Sequence, residues 1–411
     1  MAQPDIRWLK HQIHTLCLPN RFGRGYVFKG SENTGKYIQK CFKEMGLKAI
    51  TADSNYLQPY LFNVNTFPDT LLLSVNKSLL IPGVDYLIEA SSSSFYARHL
   101  QVRNINLSNI KDSTQWLQLK NSWAKKSHKY AYLLQHADSL CKKLSIPPRK
   151  LSYDLPAGCY IIPQHGKLTW TVSTQDVEST VFYVEDTVLP KRPHTASVRV
   201  HAQYKREVKN YNVIACVPGT VPDSFIVFSA HYDHLGMMGA DALFPGASDN
   251  ASGTACLLSL ASYFAAHPQR YTIVFIAFSG EEAGLLGSQY YVKNPLFPLS
   301  NIRFLVNMDI MGDATDGITV VNATEHPKEF SLLQQLNQEN NLLPQVRSRG
   351  TAANSDHYHF SKAGVQCFFI YSNSGKGYYH DVFDKASTLS LTNVDKVLTL
   401  IITFSAALQH M

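Results

Sequence analysis

"YTIVFIAFSGEEAGLLGSQYY", residues 271–291, runs an apolar, aromatic stretch into Ser-Gly, two adjacent acids and a tail of small residues. A short continuous apolar run closed by turn residues predicts a strand buried on both faces, and the small residues beyond it predict a turn and a short helix from about Ala283. The same texture returns in "SFIVFSA" (224–230), "IRFLVNMD" (302–309), "GITVVNA" (317–323) and "VQCFFIYS" (365–372). Helical patterns lie between and after them, at 252–267, from Pro327 to about Asn341 and from about Asn393. Buried strands alternating with helices predict the α/β class, a mixed and largely parallel sheet sandwiched between helices.

Upstream, residues 32–46 place Tyr37, Ile38, Cys41, Phe42 and Met45 at helical spacing and stop at Gly46. From Leu61 to His194 the pattern breaks into short β-rich pieces separated by Pro, Gly, Asn and Ser, with one helix expected near 113–144. A smaller β-rich domain inserted at 61–194 follows. Residues 1–60 and 195–411 then form the two parts of a split main domain.

Composition narrows the partners. A chain of 411 residues that is 45% hydrophobic and 17% charged is not a disordered one. Its net charge of +7 is densest between Lys111 and Lys150, around Lys125, Lys126, Lys129, Lys142, Lys143 and Arg149, with no binding-module pattern about it. That reads as a solvated face, and no nucleic-acid partner is expected. Among seven cysteines there is no CxxC pair; Cys216, Cys256 and Cys367 sit in apolar stretches, and a Cys17–Cys41 pair is left open. No apolar run is long enough for stable membrane insertion. The opening "MAQPDIRWLK" lacks the apolar core of a signal peptide, as in a cytoplasmic protein or a mature form whose signal has been removed.

Groups able to bind metal follow the predicted strands. "SAHYDHLG" supplies His231 and Asp233, "GASDNASG" Asp249, "SGEE" Glu281 and Glu282, "NMD" Asp309 and "YYHD" His380. In open α/β sheets, sites assemble at the carboxyl ends of strands. Singly, each has an ordinary reading: a core histidine, a helix N-cap, a turn aspartate, a loop histidine. Together, several carboxylates buried at one sheet edge would repel one another unless a cation lay among them. Two histidines and three carboxylates suit two divalent ions of the zinc type, with one carboxylate bridging and a position open for water. Asp233, two residues beyond His231, is suited to accept the proton of the second imidazole nitrogen. Adjacent acids on a turn point in different directions, so one can ligate while its neighbour takes a proton from water. Spacing alone leaves open which is which.

The ordered set HxD, SDNASG, SGEE, NMD and YHD resembles the two-zinc metallopeptidases that include bacterial leucyl aminopeptidases and, more distantly, glutamate carboxypeptidase. The resemblance covers nearly all of 195–390 and reappears at "GRGYVFKGSENTGKYIQKCFKEMGL" near the start. It implies the zinc aminopeptidase fold, an inserted domain of protease-associated type, and two Zn2+ ions. His231 and Asp309 would hold one ion, Glu282 and His380 the other, with Asp249 bridging. Glu281 would be the general base and Asp233 a partner behind His231.

The implied activity is hydrolysis of N-terminal amino acids from peptides with a free N-terminus through a dizinc-bound hydroxide, in a periplasmic or secreted protein. "NSDHYHF" is similar to the segment bordering the family's substrate pocket. Ser355, Asp356 and His357 are consecutive and so cannot form a hydrolytic relay. Two departures stand out. Asp313 follows "NMDIMG" where relatives continue apolar-then-basic, and the threonine-proline after the ligand histidine is missing, although Asp384 is retained. The alternatives are a metallo-carboxypeptidase or amide deacylase, a single-zinc glutaminyl cyclase-like enzyme, and a peptide-binding module on a lapsed peptidase fold.

Overall fold

The structure is a computed structural model that describes residues 5–50, 55–124 and 129–410. A mixed sheet forms the main body. Its order is 48–49, 203–217, 271–278, 221–231, 302–308, 367–372, 318–321, 346–348, with Leu57–Thr66 also paired to Gln203–Val217. The four central strands, Tyr271–Phe278, Val221–His231, Ile302–Met308 and Cys367–Ser372, are mutually parallel. Their carboxyl ends therefore point the same way.

Alternation along the pleat sends successive side chains to opposite faces. Ile226, Phe228 and Ala230 enter one core with residues of helices Ile6–Leu16, Gly30–Glu44, Gly253–Ala266 and Val394–Leu408. Val227 enters the other, with Tyr291 of Leu286–Lys293 and Phe360 of His357–Lys362. Both faces are covered, which is why these strands read as unbroken apolar runs. Helix Gly253–Ala266 ("GTACLLSLASYFAA") is buried nearly all round. Each of its Leu257, Leu258 and Leu260 contributes about 1.5–3 kcal/mol of burial, and this seats the helix that follows Asp249.

The insert has its own eight-stranded sheet, from Leu72 to Val200. It starts and ends later than the 61–194 read from the sequence, because Leu57–Thr66 belongs to the main sheet through its ladder with Gln203–Val217. Four of its strands, Phe95–Asn106, Tyr130–Gln135, Gly158–Gln164 and Ser179–Glu185, are parallel. The single helix expected near 113–144 is instead two, Ser113–Ala124 and Ala137–Leu144, divided by the strand "YAYLLQ" (130–135). That segment pairs on both edges and buries Ala131, Tyr132, Leu133 and Leu134, so tertiary pairing outweighs its local pattern.

In the basic stretch, Lys129, Lys142 and Lys143 are exposed, while Lys125, Lys126 and the side chain of Arg149 lie outside the described residues. The two bodies share a junction. Hairpin Gly236–Met238/Ala242–Phe244 leaves the main sheet and places Leu235, Met238, Ala242 and Phe244 in the insert's core. All seven cysteines, Cys17 and Cys41 among them, are free thiols. Among the described residues no helix is long and apolar enough to cross a membrane.

Candidate metal centre

Parallel strands bring the polar residues together. His231 is the last residue of Val221–His231, Glu281 and Glu282 lie on the turn after Tyr271–Phe278, and Asp309 follows Ile302–Met308. Asp249 precedes helix Gly253–Ala266, and His380 comes from the loop after Cys367–Ser372. Nε2 of His231 lies 3.3 Å from Oδ1 of Asp249 and 3.3 Å from Oδ1 of Asp309. Nε2 of His380 lies 3.1 Å from Oδ2 of Asp249 and 3.1 Å from Oε2 of Glu282. Asp249 thus offers one oxygen to each group. Glu281 reaches the first of them, its carboxylate falling within 4.8 Å of ligand atoms of His231 and Asp309.

These spacings fit zinc. Two donors on a tetrahedral ion at bonds of about 2.0–2.1 Å stand roughly 3.3 Å apart, close to all four distances. Nε2 of His231 and Oδ1 of Asp309 are buried and make no hydrogen bond, an arrangement that costs free energy unless a further group accepts both. Electrostatics agrees. Burial pulls His380 down, yet Glu282 and Asp249 overcome it and push the imidazole up to about 11. Burial would likewise raise Glu282, but His380 and His234 hold it down to about 2. A proton on His380 here occupies the electrostatic role of a cation. Burial, reinforced by Glu282, Asp309 and Asp356 against the pull of His231, pushes the Glu281 carboxyl well above the usual carboxylate range.

The surroundings hold each group in place. Asp233 is fully buried, and Nδ1 of His231 faces its backbone carbonyl at 3.2 Å, nearer than its carboxylate at 3.7 Å. The carboxylate is engaged elsewhere, accepting from the Tyr26 hydroxyl (2.6 Å) and from the backbone N–H groups of Glu281 (3.3 Å) and Glu282 (3.4 Å). It therefore fixes the two-acid turn. Asp309 accepts from Ser355 Oγ (2.9 Å), which accepts from Asn307 Nδ2 (2.8 Å), whose Oδ1 in turn accepts from Ser229 Oγ (2.7 Å). Asp384 accepts from the N–H groups of Ser248 and Asp249. Asn250 joins both loops, donating to the Met308 carbonyl and accepting from Gly253 and Ile310. Burial raises Asp356 to about 7.

Four contributors were not legible as site residues. His234 is fully buried and its Nδ1 lies 2.6 Å from Oε1 of Glu282, a hydrogen-bond distance on the oxygen that His380 leaves free. Its signal was the second histidine in "HYDH". Arg24, also fully buried, donates to the carbonyls of Tyr232, Leu16, Pro245, Gly246 and Asp249. Tyr379 stacks on His380 at 3.8 Å, and burial together with Asp249, Glu282, Glu281 and Asp309 raises its phenol far enough to keep it a neutral donor. Trp170, from the insert, meets His380 through its backbone. Only the pairings of distant segments reveal these last three.

Residues 212–405 match Peptidase family M28. Among curated proteins, a probable zinc metalloprotease of Pyricularia oryzae is 40% identical over 111 residues, 26% of this chain and 22% of the relative. Leucine aminopeptidase 1 of Metarhizium robertsii is 28% identical over 216 residues, 49% of this chain and 52% of the relative. The chain spans about a quarter of the length of the first of these curated relatives and about half of the second. In fold it is similar to a zinc aminopeptidase from Bacillus subtilis, with a TM-score of 0.68 at 16% identity over 97% of this chain and 95% of that one. The Peptidase M28 precursor from Shewanella amazonensis gives 0.67 at 14% over 98% and 93%. Residues 212–405 are thus similar to Peptidase family M28, and the fold over nearly the whole chain is similar to that of the solved neighbours.

Proposed function

From a segment, 212–405, that matches Peptidase family M28, we infer that this protein is a zinc metallopeptidase that removes N-terminal residues from peptides through a two-zinc centre. The observation that carries the reading is Asp249, whose two oxygens face two separate donor groups at the spacing of ligands on one ion. His231 and Asp309 would hold one zinc, Glu282 and His380 the other. When bound, the pair would polarise a peptide carbonyl and acidify a water.

The chain's own residues supply the rest. The Glu281 carboxylate takes a proton from the attacking water and returns it to the nitrogen of the leaving amine. Its raised affinity for protons, a consequence of burial, suits a group that must accept one. Asp233 holds the Glu281 backbone N–H, and with it the turn, while that proton moves. A cavity of about 220 Å³ that opens beside Asp249 between Ile310, Leu389, Tyr378 and Tyr379 receives the first side chain of the substrate. Those four supply apolar contact, while Asp313, Asn373, Lys376 and Ser390 line other parts of it, so the walls offer contacts to polar as well as apolar side chains.

A panel of aminoacyl chromogenic substrates and their N-acetylated counterparts, assayed with and without chelator on one preparation, tests this. Turnover of the free-amine set alone, lost to chelator and restored by zinc, is expected. Equal turnover of the blocked set would replace the aminopeptidase with a deacylase or carboxypeptidase. Absence of any hydrolysis with two zinc ions bound would make the chain a binding module.

A further inference from the structure

The inserted domain reaches into the centre at one place. Between strands Gly158–Gln164 and Ser179–Glu185 its chain crosses to the loop that carries His380. There Nδ1 of His380 lies 2.9 Å from the Trp170 carbonyl, and the Trp170 N–H donates to the His380 carbonyl at 3.1 Å. Imidazole and backbone of one residue are thus gripped by the backbone of a single residue of another domain. His380 adopts a positive φ of 58°, a conformation that surrounding contacts must hold for a residue other than glycine.

Lys167 adds a second grip. Its ammonium donates to the carbonyls of Gly377 and Tyr379 and pairs with Asp381 at 3.2 Å. The crossing segment is itself fixed. The Trp170 ring stacks on Phe244 at 4.9 Å, its Nε1 donates to the Ile88 carbonyl, and the Ser173 carbonyl accepts from Asn65 N–H.

We propose that residues 167–170 of the insert form a strap that positions His380 for the second zinc, so that this ion's affinity is set by the inserted domain. The proposal rests on the two-zinc reading above. A carbonyl accepting from Nδ1 fixes the tautomer in which Nε2 carries a free lone pair, and it fixes the ring plane. Nε2 then faces Asp249 and Glu282 with no rotation left to lose on binding. His231 and Asp309 receive nothing from the strap, being held by the main sheet and by Ser355. The effect therefore falls on one ion of the two.

Zinc release from the loaded enzyme to a chromogenic chelator resolves the ions by affinity. Lys167→Ala is the primary variant, since its side chain is 37% exposed and its loss leaves the core intact; Trp170→Ala loosens the strap more strongly. In Lys167→Ala one zinc of the two is expected to dissociate at least about ten-fold more readily, the order seen when support behind a metal ligand is lost. The other zinc and the melting temperature of the zinc-free protein stay at wild-type values, and Lys167→Arg restores much of the affinity. A general structural role would instead shift both ions and the zinc-free melting temperature together, which overturns the proposal. If wild type binds two ions and both are unchanged in Lys167→Ala, the strap falls and the two-zinc reading stands. If wild type binds fewer than two, both fall.

Discussion

Glu281 and Glu282 are adjacent in sequence yet lie in opposite electrostatic settings, one pushed up by burial among carboxylates and the other held down by two imidazoles. On the proposed two-zinc reading, that contrast suits Glu281 to carry a proton and Glu282 to ligate. Glu281→Gln keeps the shape and removes the base, so kcat should drop by about 10²–10⁴-fold while bound zinc, counted by atomic emission, stays at two per chain. Retention of wild-type kcat would contradict the assignment. Arg24 is the second residue with a consequence out of proportion to its chemistry. Its guanidinium satisfies five buried carbonyls, that of Asp249 among them. Arg24→Met leaves those acceptors bare, and each unsatisfied group costs about 1–3 kcal/mol. Urea denaturation should show a loss of at least about 3 kcal/mol, with activity falling because the bridging turn loses its anchor.

Helix His357–Lys362 begins on a histidine whose ring lies tilted against that of Phe369, with ring centroids 5.1 Å apart. Burial lowers His357 to about 4. Because the folded-state value lies below that of the unfolded chain, the unfolded state takes up the proton first. The histidine is therefore neutral at no penalty above about pH 6.5, and stability is progressively lost as pH falls from there towards 4. His357→Phe should flatten that slope in the zinc-free protein, measured as melting temperature between pH 7 and 4; parallel curves would show that the slope arises elsewhere.

The strands on which the site is built were legible because both their faces are covered, so their apolar runs admit one reading. Their terminal polar residues were legible for the same reason, being acids and histidines set at or just past the carboxyl ends of greasy segments. Tyr130–Gln135 was not, since its partners are Gln101–Asn106 and Cys159–Ile161, and local pattern says nothing about partners. Arg24 and Trp170 were missed likewise. They act on residues some 210–225 positions away, through carbonyls, which carry no sequence signal.

Across the whole molecule, at least seven acids, Asp233, Asp249, Glu281, Glu282, Asp309, Asp356 and Asp384, gather at one sheet edge. Cations occupying that edge should therefore stabilise the fold as a whole. Chelation should lower the melting temperature measurably, since a ligand at about 1,000 times its Kd contributes about 4 kcal/mol. The loss should be larger at pH 8 than at pH 6, where protons partly replace the ions; scanning calorimetry with and without chelator at the two pH values checks this. Helices Ile6–Leu16 and Gly30–Glu44 bury Leu9, Ile13, Ile38 and Phe42 against Ala255 and Phe275, more than two hundred residues downstream. On a ribosome adding about 5–20 residues per second, those helices wait roughly 10–40 s for their partners. The contiguous insert emerges in that interval. A segment translated early is thus among the later ones to find its place, its apolar face uncovered until helix Gly253–Ala266 and strand Tyr271–Phe278 have emerged.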